Sequence, residues 1–271
     1  MSGEFRKLSA FLRRDVLVLL SYRTAFVADL LNLAFQTLVF SFVGQIVNPS
    51  TLPSYGGENI TYIAFVTVGI ALGAFVQVGM GRVATALRNE QLMGTLESLF
   101  MTPSHPLTIQ VGLVVYDLLY VPVRTAIFLA IIVGVFDVRF IPGAIGPALA
   151  LLLVFMPFVW GLGMAGASAI LTFRRGAGIM SLVGAGLSVG SGAYFPITVF
   201  PEWLQNIARW SPITVAFEAT RQALIGGHGW SRLAPQMLYL AATGAVAMLA
   251  GLAFFRWAIS RELRLGSLGH Y

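Results

Sequence analysis

The chain has 271 residues, of which 57% are hydrophobic and 10% charged, with no cysteine and a formal net charge of +6. A soluble domain would carry about a quarter charged residues and a disordered chain would be poor in apolar ones, so both are excluded. The missing cysteines exclude disulfides, thiolate chemistry and cysteine-bound zinc. Six membrane spans of about 20 residues would use about 120 positions, which leaves room for short loops and a few peripheral helices but for no separate soluble domain.

Residues 1–23 interleave Arg6, Lys7, Arg13 and Arg14 with Phe5, Leu8, Phe11 and Leu12. Helical spacing puts these two sets on opposite faces, which predicts an interfacial helix on the anionic cytoplasmic leaflet; a solvated basic tail is the alternative. The apolar run 16–20 is too short for a cleavable signal, and no small-residue cleavage site follows it.

The first span is predicted over 24–47, followed by a Pro-, Ser- and Gly-rich exposed loop through Gly57. The second covers 60–83 and contains Gly69 and Gly73 in GxxxG spacing, which permits close helix approach in lipid. Residues 89–101 predict a short amphipathic helix. Leu92, Leu96, Leu99 and Phe100 share one face, Glu90 and Glu97 another, with Asn89 as N-cap and Pro103 as the stop. The third span is predicted over 107–136, then a tight turn, and the fourth over 144–172 with a proline kink at Pro157. The fifth, 176–195, is rich in Gly and Ser and has no aromatic residue before Tyr194.

Residues 196–227 are broken by Pro201 and Pro212 and predict two short helices, a re-entrant hairpin anchored at the interface by tryptophans such as Trp203. Ser211-Pro212 reads as an N-cap with proline at the first helical position, and Gly226-Gly227 as the stop. The sixth span is predicted over 233–259. The fold class is therefore an all-α polytopic membrane protein of six transmembrane helices, forming one domain over 1–271. With the N-terminus inside, twelve of the seventeen Lys and Arg fall on inside segments, four fall outside and Arg124 lies within a span. That asymmetry puts both termini in the cytoplasm, the 89–101 helix inside and the hairpin outside. It also accounts for the basic charge without nucleic acid.

Few residues suggest chemistry. Asp117 and Arg124 lie seven apart in the third span and share a face. Ionisable groups in lipid face protein or water. They are a polar contact on a substrate path, a structural polar pair, or two residues each snorkelling to its own interface. Glu218 and Arg221 are three apart on the hairpin, where an ion pair would stabilise it or face a substrate exit. His105, His228 and His270 lie in loops and the tail, without metal-ligand spacing. The one lysine, Lys7, is followed by Leu8, so no Gly-Lys-Ser/Thr phosphate loop exists. Any ATP is bound by another polypeptide.

Two segments carry a family resemblance. EQLMGTLESLFMTP over 90–103 and FPITVFPEWLQNIARWSPITVAFEATR over 195–221, set in this order of spans, resemble the ABC-2 family of ABC-transporter permeases over nearly the whole chain. The resemblance implies a membrane subunit, not itself an enzyme, that pairs with a second permease as a homodimer. It docks two cytoplasmic ATPase subunits, which hold the ATP and Mg. It further implies that 89–101 is the coupling helix, with Glu90, Leu92, Leu96, Glu97, Leu99 and Phe100 at the ATPase. Spans one, two and five would rearrange, and the location would be the plasma (inner) membrane. Cargoes in the family are drugs, lipids and lipid-linked polysaccharides. The aromatic-free fifth span favours a hydrophobic or amphiphilic cargo here, and its Gly186 and Gly190 suit packing at the dimer interface. The alternatives are an ATP-independent channel or ion-coupled carrier, and a non-transporting scaffold.

Overall fold

The computed structural model describes residues 23–46, 52, 53, 55, 61–92, 106–136, 138–173 and 176–265, together with isolated positions 13, 17 and 21. Among these residues the chain forms eight α-helices and no strand. They are α1 (Arg23–Gly44), α2 (Tyr62–Leu92), α3 (Pro106–Phe136), α4 (Ile145–Phe173), α5 (Gly176–Gly190), α6 (Glu202–Arg209), α7 (Pro212–Leu224) and α8 (Trp230–Leu265). Single 3-10 turns at Pro142–Ala144 and Ile197–Val199 lead into α4 and α6.

Among the described residues, four stretches are long and apolar enough to cross a membrane: Phe26–Gly44, Tyr62–Gly81, Pro142–Ala169 and Trp230–Arg261. In α3 the described apolar part, Tyr120–Phe136, is shorter. The fifth predicted span departs most from expectation. Helix α5 has 15 residues, about 22 Å at 1.5 Å per residue, against a hydrocarbon core of about 30 Å. It ends in a Schellman motif: Gly192 takes φ +85°, Ala193 N–H returns to Ser188 O at 3.2 Å and Gly192 N–H to Val189 O at 3.1 Å. Glycine adopts that left-handed conformation without a Cβ penalty, so 191–195 forms a turn and not the helix end predicted for this span.

A second difference lies at the other end of α2, which runs unbroken to Leu92. Asn89 therefore sits inside a helix and not at an N-cap. Residues 82–92 contain no Gly or Pro to stop the helix, and most are good helix formers. Leu96, Glu97, Leu99 and Phe100 lie outside the described residues, as do the side chains of Glu90, Leu92 and Asp117. So does nearly all of the predicted interfacial helix 1–23.

Helix α2 is the centre of the bundle, with 78% of its apolar stretch buried, against 11% for α1 and 22% for α8. One core joins α2, α4, α7 and α8 around Leu72, Phe155, Phe217 and Leu240. A second joins α1, α2 and α3 around Leu33, Val66, Phe128 and Ile132. Helix α8 packs along α4 over most of its length. This contact is backbone to backbone: a Cβ on Gly161 would come within 2.3 Å of the Ala247 carbonyl, and one on Gly251 within 2.4 Å of the Gly161 carbonyl. Small residues bring helices together in lipid because close van der Waals packing takes the place of the hydrophobic effect.

Candidate functional site

The hairpin places a charge where the sequence alone does not. Ser211 is extended and makes no side-chain cap, and Pro212 at the first position starts α7. The helix ends where Gly227 turns to φ +66° and sends its N–H to Ala223 O at 2.9 Å. Between these stops, α7 buries nine of its thirteen residues. One of them is Arg221, whose exposure is 0%.

An ionised guanidinium in such a place needs acceptors on every side. Arg221 has them. Its Nε donates to Phe65 O of α2 at 3.2 Å and its Nη1 to Glu218 Oε1 at 3.0 Å. Its Nη2 donates to the carbonyls of Gly192 at 2.8 Å and Ala193 at 3.0 Å, in the turn after α5. The Phe65 ring lies 3.5 Å from the guanidinium carbon, a desolvated cation–π contact. Gly69 makes room for this arrangement, because a Cβ there would stand 1.7 Å from the Ala193 carbonyl oxygen. The GxxxG glycine of the second span thus admits a backbone turn.

Glu218 extends the network. It is paired with Arg221 and accepts a hydrogen bond from the Tyr55 hydroxyl. The loop after α1, expected to be exposed, buries Tyr55 to 7% exposure. Burial first, and then the Glu218 carboxylate, push the Tyr55 phenol well above its ordinary value of 10.0. Beside it, Tyr62 of α2 donates to Tyr194 O at 3.0 Å, and Phe40 of α1 stacks on Tyr194 with ring centroids 4.6 Å apart. One junction therefore ties α1, α2, the end of α5 and α7. Glu218 and Arg221 thus form an i, i+3 ion pair that is buried and tied to α2 and the turn after α5, as an exposed pair would not be.

A second ion pair lies in the bundle. Arg124 of α3, buried, contacts Asp29 of α1. Its Nη2 donates to Oδ1 at 3.1 Å. The closer Nε approach, 2.5 Å from Oδ2, is ionic, since that N–H is not aligned for a hydrogen bond. Arg124 thus has a partner 95 residues away, where the sequence suggested Asp117 on its own helix.

The remaining expected residues are on the surface. Pro201 caps α6, which is clamped by Gln205 Nε2 donating to Phe200 O at 2.8 Å. Trp203, Ile207 and Trp210 share its exposed face, the amphipathic pattern of an interfacial helix. Cβ atoms added at Gly186 and Gly190 would meet nothing within 4 Å, so this face of α5 is unused among the described residues. Sequence reasoning missed Tyr55, Phe65 and Gly192. The signals for them were faint: one aromatic in a turn-rich loop, one of twenty phenylalanines, and one glycine among many.

This is a bundle of apolar helices pinned at one end by a buried arginine, with a proline-broken hairpin folded onto it. Comparison with curated proteins gives no match. The ABC-2 type transporter family matches residues 6–225, a stretch that takes in α1 to α7 and the Arg221 junction. The protein is a multi-pass membrane protein, and the chain belongs to the ABC-2 type transporter family.

Proposed function

We propose that this ABC-transporter permease subunit exports a hydrophobic or amphiphilic substrate, a lipid, drug or lipid-linked glycan, driven by ATP bound on a separate chain. The observation that carries the transport class is the family match over residues 6–225. The cargo reading rests on exposed faces with no described charge. Helix α1 presents Val27, Leu31, Phe35 and Phe42, and α5 presents Leu182, Val183 and Val189 around Gly186. Two copies pair through α5 at Gly186 and Gly190, and these faces line the path between them. Six segments cross the bilayer, with α5 and the turn after it completing the fifth. Both termini lie in the cytoplasm, and the protein sits in the plasma (inner) membrane. The segment 89–101 rests in the ATPase, two copies of which serve the pair. Closure of the ATPase dimer moves this segment, hence α2, and α2 moves the junction at Arg221.

The test is purification from native membranes in mild detergent, identification of co-purifying chains, and ATP hydrolysis with transport after reconstitution. A stoichiometric P-loop ATPase and ATP-dependent export of an apolar cargo are expected. A lone oligomer at full yield without ATPase activity, or flux that proceeds without ATP, would overturn the proposal.

A further inference from the structure

Between α3 and α4 a groove runs in from the side of the bundle. The two helices are consecutive in the chain, yet they touch sparsely. The connecting turn is pinned instead to α7, where Ile141 N–H donates to Leu224 O at 3.0 Å. The space left has a volume of about 660 Å³, within the range of about 300–1,000 Å³ typical of small-molecule sites. Buried Val68, Leu72, Ala148 and Leu152 form its floor. Ala130 and Ile145 form an exposed rim.

Its polar lining side chains are Thr125, Thr220 and Arg139. The Thr220 hydroxyl is bound to Ala216 O at 2.8 Å. Thr125 is 7% exposed, and its hydroxyl has no partner among the described residues. Arg139 stands exposed on the turn joining α3 to α4, at the mouth of the groove. Among the described residues it makes no ion pair and no hydrogen bond. The groove is therefore an apolar sleeve whose mouth carries, among the described residues, the unpaired Arg139.

We infer that this groove holds an acyl chain of an anionic phospholipid whose phosphate pairs with the Arg139 guanidinium. An apolar cleft on a membrane-embedded bundle is filled by what the bilayer supplies, since water has no partners along it. A planar guanidinium matches phosphate oxygens two at a time, and the cation of a zwitterionic headgroup competes for those oxygens, so Arg139 favours an anionic headgroup while the sleeve accepts the chain. A second copy of the protein fits less well, because it would have to bring a carboxylate to Arg139. Of the described acidic side chains, Asp29 and Glu218 are already paired, and Glu202 lies in the first turn of the short helix α6. The inference rests on the chain being membrane-embedded and is independent of export and of ATP.

The test is native mass spectrometry of the full chain released from vesicles of equal phosphatidylglycerol and phosphatidylcholine. Two variants at exposed positions accompany it. Ala130→Trp fills the sleeve from the rim, and Arg139→Gln removes the cation. The wild type should retain one phosphatidylglycerol per chain, and Ala130→Trp should retain none. Arg139→Gln should lower the preference for phosphatidylglycerol about tenfold, because glutamine still donates to either phosphate but carries no charge that favours the anionic headgroup. Unchanged melting temperatures show that both variants fold. Retention that is equal in all three proteins, or a photoreactive side chain at position 130 that captures a second copy instead of lipid, would overturn the inference.

Discussion

Arg124 of α3 meets Asp29 of α1 at 2.5 Å, with the arginine side chain 4% exposed and the aspartate 39%. The asymmetry decides what each substitution does. Removing the carboxylate leaves a buried guanidinium alone, whereas removing the arginine leaves a carboxylate that can reach solvent. Losing one partner of a fully buried pair costs about 3–5 kcal/mol. The openness of Asp29 lowers this to about 1–3 kcal/mol for Asp29→Asn. Melting curves in detergent should show that loss, and the double exchange Asp29→Arg with Arg124→Asp should regain part of it. An unchanged melting temperature in Asp29→Asn would show that the pair does not hold α1 to α3.

At the Arg221 junction the expected losses are larger. Lysine cannot reach the Phe65, Gly192 and Ala193 carbonyls and Glu218 from one ammonium. Arg221→Lys is expected to destabilise by about 3 kcal/mol and Arg221→Ala by up to about 5, since both leave buried carbonyls without donors. Glu218→Gln keeps a hydrogen bond and should cost less than either. Equal stability of the lysine variant and the wild type would mean that the multidentate arrangement contributes nothing.

Glycines on two helices separate folding from assembly. A Cβ at Gly69 would stand 1.7 Å from the Ala193 carbonyl oxygen, while one at Gly186 would meet nothing within 4 Å. Gly69→Ala should lower stability by about 1–3 kcal/mol through overpacking against backbone. Gly186→Leu should leave the folded chain as stable as before and, if α5 packs against a second copy, shift the mass in light scattering from dimer towards monomer. A Gly186→Leu protein that remains fully dimeric would remove α5 from the interface.

Tyr55 gives the junction a pH dependence at the alkaline end. Its hydroxyl is held neutral by burial and by Glu218, so the pKa in the folded chain lies above the unfolded value of 10.0. The stability it contributes is complete below about pH 10. It falls as pH rises further, because the unfolded chain releases the proton first. The wild type should therefore lose stability between about pH 10 and 11 more steeply than Tyr55→Phe, which is weaker at neutral pH but lacks this titration. Parallel pH profiles for the two would mean that Tyr55 is not desolvated.

If 89–101 couples to an ATPase, its greasy and acidic positions carry the contact. Leu96→Asp and Glu97→Arg are each expected to abolish ATP-driven transport while expression and melting temperature stay at wild-type values. The ATPase should fail to co-purify with Leu96→Asp. Transport that survives both changes would detach the segment from coupling.

Much of the framework was legible in the sequence. Apolar runs bounded by Arg, Gly and Pro marked the long helices, because in lipid a helix must satisfy its own backbone and show apolar side chains. Pro212 and Gly227 marked the limits of α7 for equally local reasons. The stop of the fifth helix at Gly190 was less legible, since glycine is tolerated in transmembrane helices and only the φ of Gly192 shows which of several glycines turns the chain.

Hydropathy and helix-breaking act within a few residues, so the class of molecule and the order of its helices can be read along the chain. The tertiary structure alone decided which charges meet. Arg124 of α3 meets Asp29 of α1. Arg221 is buried with donors spent on α2, α7 and the turn after α5. Tyr55 is drawn out of its loop to Glu218. Asp29 with Arg124, Phe65 with Arg221 and Tyr55 with Glu218 join residues 95 to 163 positions apart. No local rule reaches that far: a buried charge requires a partner, and packing chooses which one.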